Sequence, residues 1–338
     1  MSETLRLTDR DAAQAADILA KGGLVAFPTE TVYGLGANGL DPAAVAAIFE
    51  AKGRPQDNPL ILHIPSAHHL ERYCVDIPSV AYELAQRFWP GPLTMILKRR
   101  EIVPDVVTAG LDTVGMRCPD HPAALAILEL CQLPIAAPSA NTSGRPSPTT
   151  AQAVWEDMAG KIDAVVDGGP CQVGVESTII DLTCTPPRLL RPGGVTLEEL
   201  EEVLGEVAVD EAVIRLMSTD EKPRAPGMKY RHYAPKAPVT VVRGKPEDTA
   251  RYIAQHLEPN VGVICFDDYV NSFPGCPLRS LGPQDDKSEQ ARRLFEALRW
   301  FDTQDVTAIL AQSPEQDGLG LAVTNRLNKA AGFHIIEL

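Results

Sequence analysis

The residues of this chain that could do chemistry sit in two hydroxyl-rich turns and a set of turn-borne cations. The first turn, Thr29-Glu30-Thr31-Val32-Tyr33-Gly34-Leu35-Gly36, follows the apolar run Leu24 to Phe27. The second, Ser139-Ala140-Asn141-Thr142-Ser143-Gly144-Arg145-Pro146-Ser147, follows Pro134 to Pro138. Lys52-Gly53-Arg54, Arg191-Pro192-Gly193 and Lys229-Tyr230-Arg231-His232-Tyr233 add cations in settings rich in Gly or aromatic residues. Arginines on turns at strand ends can converge on phosphates, where the planar fork gives bidentate bonds. Small polar groups beside such cations suit a site for a polyanion and a small polar molecule. Each feature also has a plainer reading. Lys52 and Arg54 taken alone are solvated charges after a helix, and Ser139, Asn141 and Ser143 favour turns and N-caps anyway. Arg117 ends the run Thr113 to Arg117 and needs a partner if buried: Glu30, Glu176 or a carboxylate on a ligand. His63 by itself reads as a structural histidine, and His68 and His69 as surface residues. Gly318-Leu319-Gly320 lacks the full dinucleotide fingerprint, and there is no phosphate-loop, Gly-x-Ser-x-Gly or His-Glu-x-x-His motif.

The elements that must position these groups follow from periodicity and caps. Asp9 to Lys21 reads as an Ala-rich amphipathic helix closed by Gly22-Gly23, and Leu24 to Phe27 as a buried strand. Asp41 as N-cap, Pro42 at the first helical position and Gly53 past the end frame a second helix. Leu60 to Ile64, Leu93 to Leu97, Thr113 to Arg117, Pro134 to Pro138 and Ala164 to Asp167 read as strands. Pro78 to Trp89, Pro122 to Cys131, Thr150 to Met158 and an acidic stretch from Thr196 read as helices. The mixture predicts a twisted, mixed α/β sheet. Residues 217–238 turn rich in proline and charge and read as a linker, though Lys229 to Tyr233 is too aromatic and basic for an inert spacer. Beyond it, strands at Val239 to Val242, Val261 to Cys265 and Val306 to Ala311 alternate with helices at Asp248 to His256, Arg292 to Trp300 and Leu319 to Ala331. That spacing predicts a smaller, Rossmann-like parallel α/β domain.

Composition narrows the function. The chain has 338 residues, 44% hydrophobic and 22% charged, which is ordinary for a globular protein and enough for more than one domain. Lys and Arg number 31 against 45 Asp and Glu, a net charge of −14 that argues against a bulk nucleic-acid binder. Seven scattered cysteines without a Cys-x-x-Cys pair fit neither a disulfide scaffold nor a zinc motif, and predict a reducing, cytoplasmic setting. No export signal or membrane span is predicted.

Five segments taken in order carry a family resemblance: Thr29-Glu30-Thr31-Val32-Tyr33-Gly34-Leu35, Lys52-Gly53-Arg54, Asn58-Pro59-Leu60, Ser139-Ala140-Asn141-x-Ser143-Gly144 and Arg191-Pro192-Gly193. Together they closely resemble the Sua5/YrdC/YciO family, and Ala225 to Pro235 resembles the linker of its two-domain Sua5 branch. The resemblance implies a YrdC-like catalytic domain over 1–205, a linker and active-site lid over 206–238, and a Sua5-type C-terminal domain over 239–338. It implies L-threonylcarbamoyladenylate synthase activity, in which L-threonine, bicarbonate and ATP give the adenylate and pyrophosphate. Other proteins then pass the group to adenosine 37 of tRNAs; direct contact with tRNA stays open. By position, Thr31, His63, Arg117, Ala137 and Ser177 would hold threonine, with Arg117 on its carboxylate. Lys52, Arg54, Asn58, Thr113, Ser139, Ser147, Arg191 and Tyr230 would hold ATP, joined by Asn141 and Arg145, with Lys52 and Arg54 as the catalytic cations. Magnesium would ride on the triphosphate rather than in a protein cage. Tyr230 would close the lid that keeps water from the carbamate. Two rival readings are a non-catalytic RNA-binding or ribosome-assembly protein and, more distantly, a carbamoyl-transfer maturation factor of the hydrogenase type.

Overall fold

The computed structural model describes residues 3–215, 217, 223–228 and 232–338. Among the described residues, twelve strands form one sheet: β1 (Leu5–Thr8), β2 (Val25–Phe27), β3 (Gly34–Asn38), β4 (Ile61–His63), β5 (Cys74–Val75), β6 (Leu93–Arg99), β7 (Thr113–Arg117), β8 (Ile135–Ala136), β9 (Ala164–Asp167), β10 (Thr178–Asp181), β11 (Arg188–Arg191) and β12 (Ala208–Val209). Its order is β1-β9-β2-β3-β8-β4-β7-β6-β10-β11-β12, with β5 paired to β6 off that path. Parallel pairs such as β4 with β7 mix with antiparallel ones such as β6 with β7, as expected of a mixed α/β sheet. Helices α1 (Ala12–Ala20), α2 (Pro42–Lys52), α3 (Leu70–Tyr73), α4 (Ser79–Phe88), α5 (Asp105–Thr108), α6 (Pro122–Cys131), α7 (Ala151–Met158) and α8 (Leu197–Leu204) accompany it.

A second sheet of five strands comprises β13 (Val239–Arg243), β14 (Val261–Cys265), β15 (Leu278–Ser280), β16 (Ala308–Gln312) and β17 (Ile335–Glu337). Its order is β15-β14-β16-β13-β17 and every pairing is parallel. Helices α9 (Pro246–Gln255), α10 (Lys287–Trp300) and α11 (Leu319–Ala330) belong to this half.

Local chemistry explains the framing of the helices. Asp41 accepts from the backbone N–H groups of Ala43 and Ala44, Pro42 opens α2, and Gly53 closes it at φ 60°; such a cap stabilises by about 1 kcal/mol. Thr196 and Glu199 form a reciprocal capping box on α8. Three expectations are corrected. The stretch from Gly34, read as part of a turn, is strand β3, paired to β2 and β8. Gly36 is needed there because a Cβ on it would lie 2.7 Å from the Phe27 ring. Helix α10 begins at Lys287, five residues ahead of Arg292, because Asp286 caps it by accepting from the Glu289 N–H at 3.0 Å. The stretch from Asp9 opens with a 3-10 turn before α1.

The large core beneath the first sheet gathers Tyr33, Leu35, Phe49, Leu62, Leu97 and Met116. The core of the second half, built on Phe295, Leu298, Phe301 and Leu327, also takes in Val32 and Val175 from the first. The two halves therefore share apolar contacts beside the first hydroxyl-rich turn.

Candidate functional site

The site is built at strand ends. Parallel pairing of β4 with β7 sets His63 opposite Arg117, the last residue of each strand. Antiparallel pairing of β4 with β8 brings in Ala137, whose N–H donates to the Ile61 carbonyl at 3.0 Å. Much of the hydroxyl density in the first turn is its own scaffolding. Thr29 Oγ1 donates to the Val32 carbonyl at 2.6 Å and accepts from the Thr31 and Val32 N–H groups. Arg117 donates to Thr31 Oγ1 at 2.9 Å and pairs with Glu30 at 2.7 Å, both side chains almost wholly buried. Of the partners left open by the sequence, Glu30 is the one observed.

The second turn is hung from the first by an isolated bridge between Gly34 and Ser139. Lys52, 2% exposed at the end of α2, donates to the carbonyls of Ser139 and Asn141, while Ser143 N–H donates back to the Lys52 carbonyl. The ammonium thus shapes the turn with two donors and keeps one for a ligand. Arg54 donates to the carbonyls of Asn58 and Pro59, both at 3.3 Å. Arg191 grips the Ser177 carbonyl through Nε and Nη2 at 3.0 and 2.9 Å, touches Ser177 Oγ at 3.1 Å, and reaches the Pro226 carbonyl at 3.3 Å. Gly193 permits this approach: a Cβ there would stand 2.3 Å from the Glu176 carbonyl.

These groups line one cleft that opens to solvent. Of the residues expected from the sequence, Lys52, Arg54, His63, Arg117, Ala137, Ser139, Asn141, Arg145, Ser147, Ser177 and Arg191 lie on its wall. Thr31 stands directly behind Arg117. Asn58 and Thr113 are not on the wall. Asn58 supports Arg54 through its carbonyl, and Thr113 lies at the far end of β7, opposite Lys98. Tyr230, with Lys229 and Arg231, lies outside the described residues. Arg145 is engaged by two carboxylates, Asp157 and, at 3.0 Å, Asp302. Among the described residues the wall carries five Lys and Arg side chains against one carboxylate, Glu176. Such an excess favours a polyanionic ligand.

Burial sets the protonation states. Burial, with Arg117 alongside, pushes the His63 imidazole down to about 3, so it is neutral at working pH, and its buried Nδ1 has no hydrogen-bond partner in the protein. Burial and the neighbouring Arg54 hold Lys52 well below the usual ammonium value. Burial lowers Arg54 and Arg191 to about 10, which leaves both charged. For Glu176, burial opposes the charge, but Arg326, Arg191 and a bond from Ser147 outweigh it and bring the carboxyl down to about 2.

The sequence reading missed several members of this constellation. Glu176 pairs with Arg326 of α11 at 2.9 Å. Asp157 binds Arg299 of α10. Pro226, Gly227, His232 and Tyr233 also stand on the cavity wall.

A mixed α/β sheet with a cationic cleft at its strand ends, backed by a second α/β half, defines a two-domain protein that handles a polyanion beside a small ligand. Residues 17–193 match the Sua5/YciO/YrdC family, described as telomere recombination, and residues 195–332 match the threonylcarbamoyl-AMP synthase C-terminal domain. The chain belongs to the Sua5/YciO/YrdC family. It is 54% identical over 331 residues to the threonylcarbamoyl-AMP synthase of Pyrococcus abyssi, covering 96% of this chain and 95% of that one. It is 46% identical over 340 residues to the Bacillus subtilis protein of the same name, covering 100% and 97%. The solved structure of P. abyssi Sua5 complexed with L-threonine superposes with a TM-score of 0.90 at 50% identity, covering 99% of this chain and 100% of that one.

Proposed function

We infer that this protein synthesises L-threonylcarbamoyladenylate from L-threonine, bicarbonate and ATP, with release of pyrophosphate. The observation that carries the reading is that Arg54, Arg117, Ser139 and Arg191, from four separate segments, line one cleft. The relative solved with L-threonine bound, alike over almost the whole chain, supports it. The non-catalytic RNA-binding reading gains nothing from relatives that share the synthase name across almost the full length.

In this reading threonine occupies the corner formed by Thr31, His63, Arg117, Ala137 and Ser177, with the Arg117 guanidinium on its carboxylate. Neutral His63 offers Nδ1 to the ligand, and its neutrality avoids repelling the amino group. The threonine amine and bicarbonate form a carbamate with loss of water. A carbamate oxygen then attacks the α-phosphorus of ATP, the α–β bridging bond breaks, and pyrophosphate leaves. The protein forms no covalent bond, so positioning and charge neutralisation do the work. Lys52, Arg54, Ser139, Asn141, Ser147 and Arg191 face the nucleotide, and Arg191 exchanges its bond to Pro226 for a phosphate oxygen. Asn58 acts behind Arg54, and Arg145 holds the turn rather than the phosphate. Thr113 and Tyr230 are carried as nucleotide contacts by the family resemblance alone.

Magnesium enters as part of the substrate MgATP. Both oxygens of Glu176 are already bonded, one by Ser147 and one by Arg326, and the described residues contain no group of three or more His, Cys, Asp and Glu side chains that could hold a metal. In this reading the metal is held by phosphate oxygens and water, as suits a hard cation that keeps several waters. Among the described residues no helix is long and apolar enough to cross a membrane. In this reading the product passes to proteins that modify tRNA, and the activity belongs to the cytoplasm. Incubation with labelled ATP, threonine and bicarbonate, omitting each in turn, tests the reading. Pyrophosphate release and an isolable adenylate should require all three, and release without threonine would overturn it.

A further inference from the structure

The second half of the chain reaches the cleft with polar side chains at the second turn, at the Arg191 strand end and at Gly227, whose carbonyl accepts from Lys329. Of three consecutive residues of the second turn, Arg145 and Pro146 are bound to the second half directly and Ser147 through Glu176. Arg145 pairs with Asp302 at 3.0 Å. The Pro146 carbonyl accepts from Arg299 Nη2 at 2.6 Å, while the same guanidinium binds Asp157 in a fork at 2.9 and 3.2 Å. Ser147 Oγ donates at 2.5 Å to one oxygen of Glu176, whose other oxygen accepts from Arg326 Nε at 2.9 Å. Arg326 also donates to the Pro192 carbonyl at 2.7 Å, next to Arg191. Its side chain is wholly buried.

We propose that Arg299, Asp302 and Arg326 are positioning residues for the ATP half of the cleft, fixing the turn that carries Ser139 and Ser147 and the strand end that carries Arg191. Other polar contacts of the second half fall on Glu198, Val213 and Gly227. Those of Asp302 and Arg299 end on Arg145 and Pro146, and those of Arg326 on Glu176, which holds Ser147, and on Pro192, while Lys52 holds the other end of the same turn. A turn held at both ends keeps its polar groups in place before the nucleotide arrives, which is how a site without covalent chemistry gains rate. The threonine corner is supported separately by Glu30, Asp120 N–H and the strand pairing of β4, β7 and β8. The ion pairs and hydrogen bonds of Arg299, Asp302 and Arg326 thus bear chiefly on the nucleotide side, while the contacts at Val32 and Val175 beside the threonine corner are apolar. Lysine cannot reproduce the two-directional grip of Arg299 or Arg326, because it lacks the planar fork.

The proposal rests on the synthase reading, and its test separates the two. Arg299→Lys and Arg326→Lys are made in the full chain, and ATP KM, kcat, threonine Kd and thermal midpoint are measured. The expected result is an ATP KM raised about tenfold or more with threonine Kd within about twofold of the parent. Equal loss of both affinities alongside a lowered midpoint means structural glue only and overturns the proposal, as does an unchanged ATP KM. Arg326→Met combined with Glu176→Gln removes both buried charges and protects against misfolding. It should unfold near the parent midpoint yet show a higher ATP KM than Arg326→Lys, and a parent-like ATP KM in it overturns the proposal. A parent enzyme that releases no pyrophosphate with threonine sinks the synthase reading instead.

Discussion

Replacing Arg117 separates what the arginine does for the fold from what it does for the ligand. Its side chain and that of Glu30 are 5% and 7% exposed and meet at 2.7 Å. Removing one partner of such a pair strands a buried charge, at a cost of about 3–5 kcal/mol. Arg117→Met should therefore lower the unfolding midpoint by about 6–20 °C, at roughly 2–4 °C per kcal/mol. Adding Glu30→Gln removes the stranded carboxylate, and the double variant should return to within about 1–2 kcal/mol of the parent. Threonine binding should not return. A guanidinium on its carboxylate contributes on the order of 3 kcal/mol, so calorimetric affinity should fall about 100-fold in both variants. Two results would refute the reasoning: parent-like threonine affinity in the double variant, or a single variant no less stable than the double.

Three further outcomes follow from the same geometry. Gly193→Ala must push the 176–178 backbone aside, since its Cβ would lie within 2.5 Å of the Glu176 carbonyl, Thr178 N and Ser177 C; steady-state assays should show kcat/KM for ATP down about 100-fold, the scale of a 1 Å misplacement. Because the Glu176 carboxyl sits at about 2 when folded against an ordinary 4.5, its stabilisation is full above 4.5 and is lost as pH falls through 2. Urea unfolding should show the deficit of Glu176→Gln narrowing by about 2 kcal/mol from about pH 6 to about pH 3, and a constant gap would contradict the charge argument. With His63 held near 3, threonine affinity should show no histidine step between about pH 5 and 8, and an inflection there that vanishes in His63→Gln would show the imidazole titrating.

What the sequence disclosed was whatever local chemistry enforces. Asp41, Pro42 and Gly53 announce α2 because a helix must satisfy its own ends, and β7 and α6 appear with the bounds read from Thr113 to Arg117 and Pro122 to Cys131. Strand β3 escaped because Gly36, which reads as a turn residue, is required by the Phe27 ring on the adjacent strand, a contact that pairing and not local pattern creates. The ligand-facing turns were visible as clusters of hydroxyls and cations, and they do share a cavity. Which cations remain for a ligand was not visible. Arg145 reads as a phosphate-binding residue in the sequence and is paired with Asp157 and Asp302, the latter more than 150 residues away. Arg326 looks like one polar residue on a long helix, and only the packing of α11 against Glu176 shows that it is buried.

The register of β1 bears on how the chain matures. Its partner strand is β9, with Leu5 beside Ala164, so roughly 160 residues separate the two edges of that ladder. A ribosome adding about 5–20 residues per second takes on the order of 10–30 s to deliver the second edge after the first has emerged. During that interval the leading strand waits with its backbone donors and acceptors open to water or to a chaperone. Slowed elongation between the codons for β1 and β9 should lengthen the nascent chain's sensitivity to protease at β1, whereas slowing after β9 has left the ribosome should not.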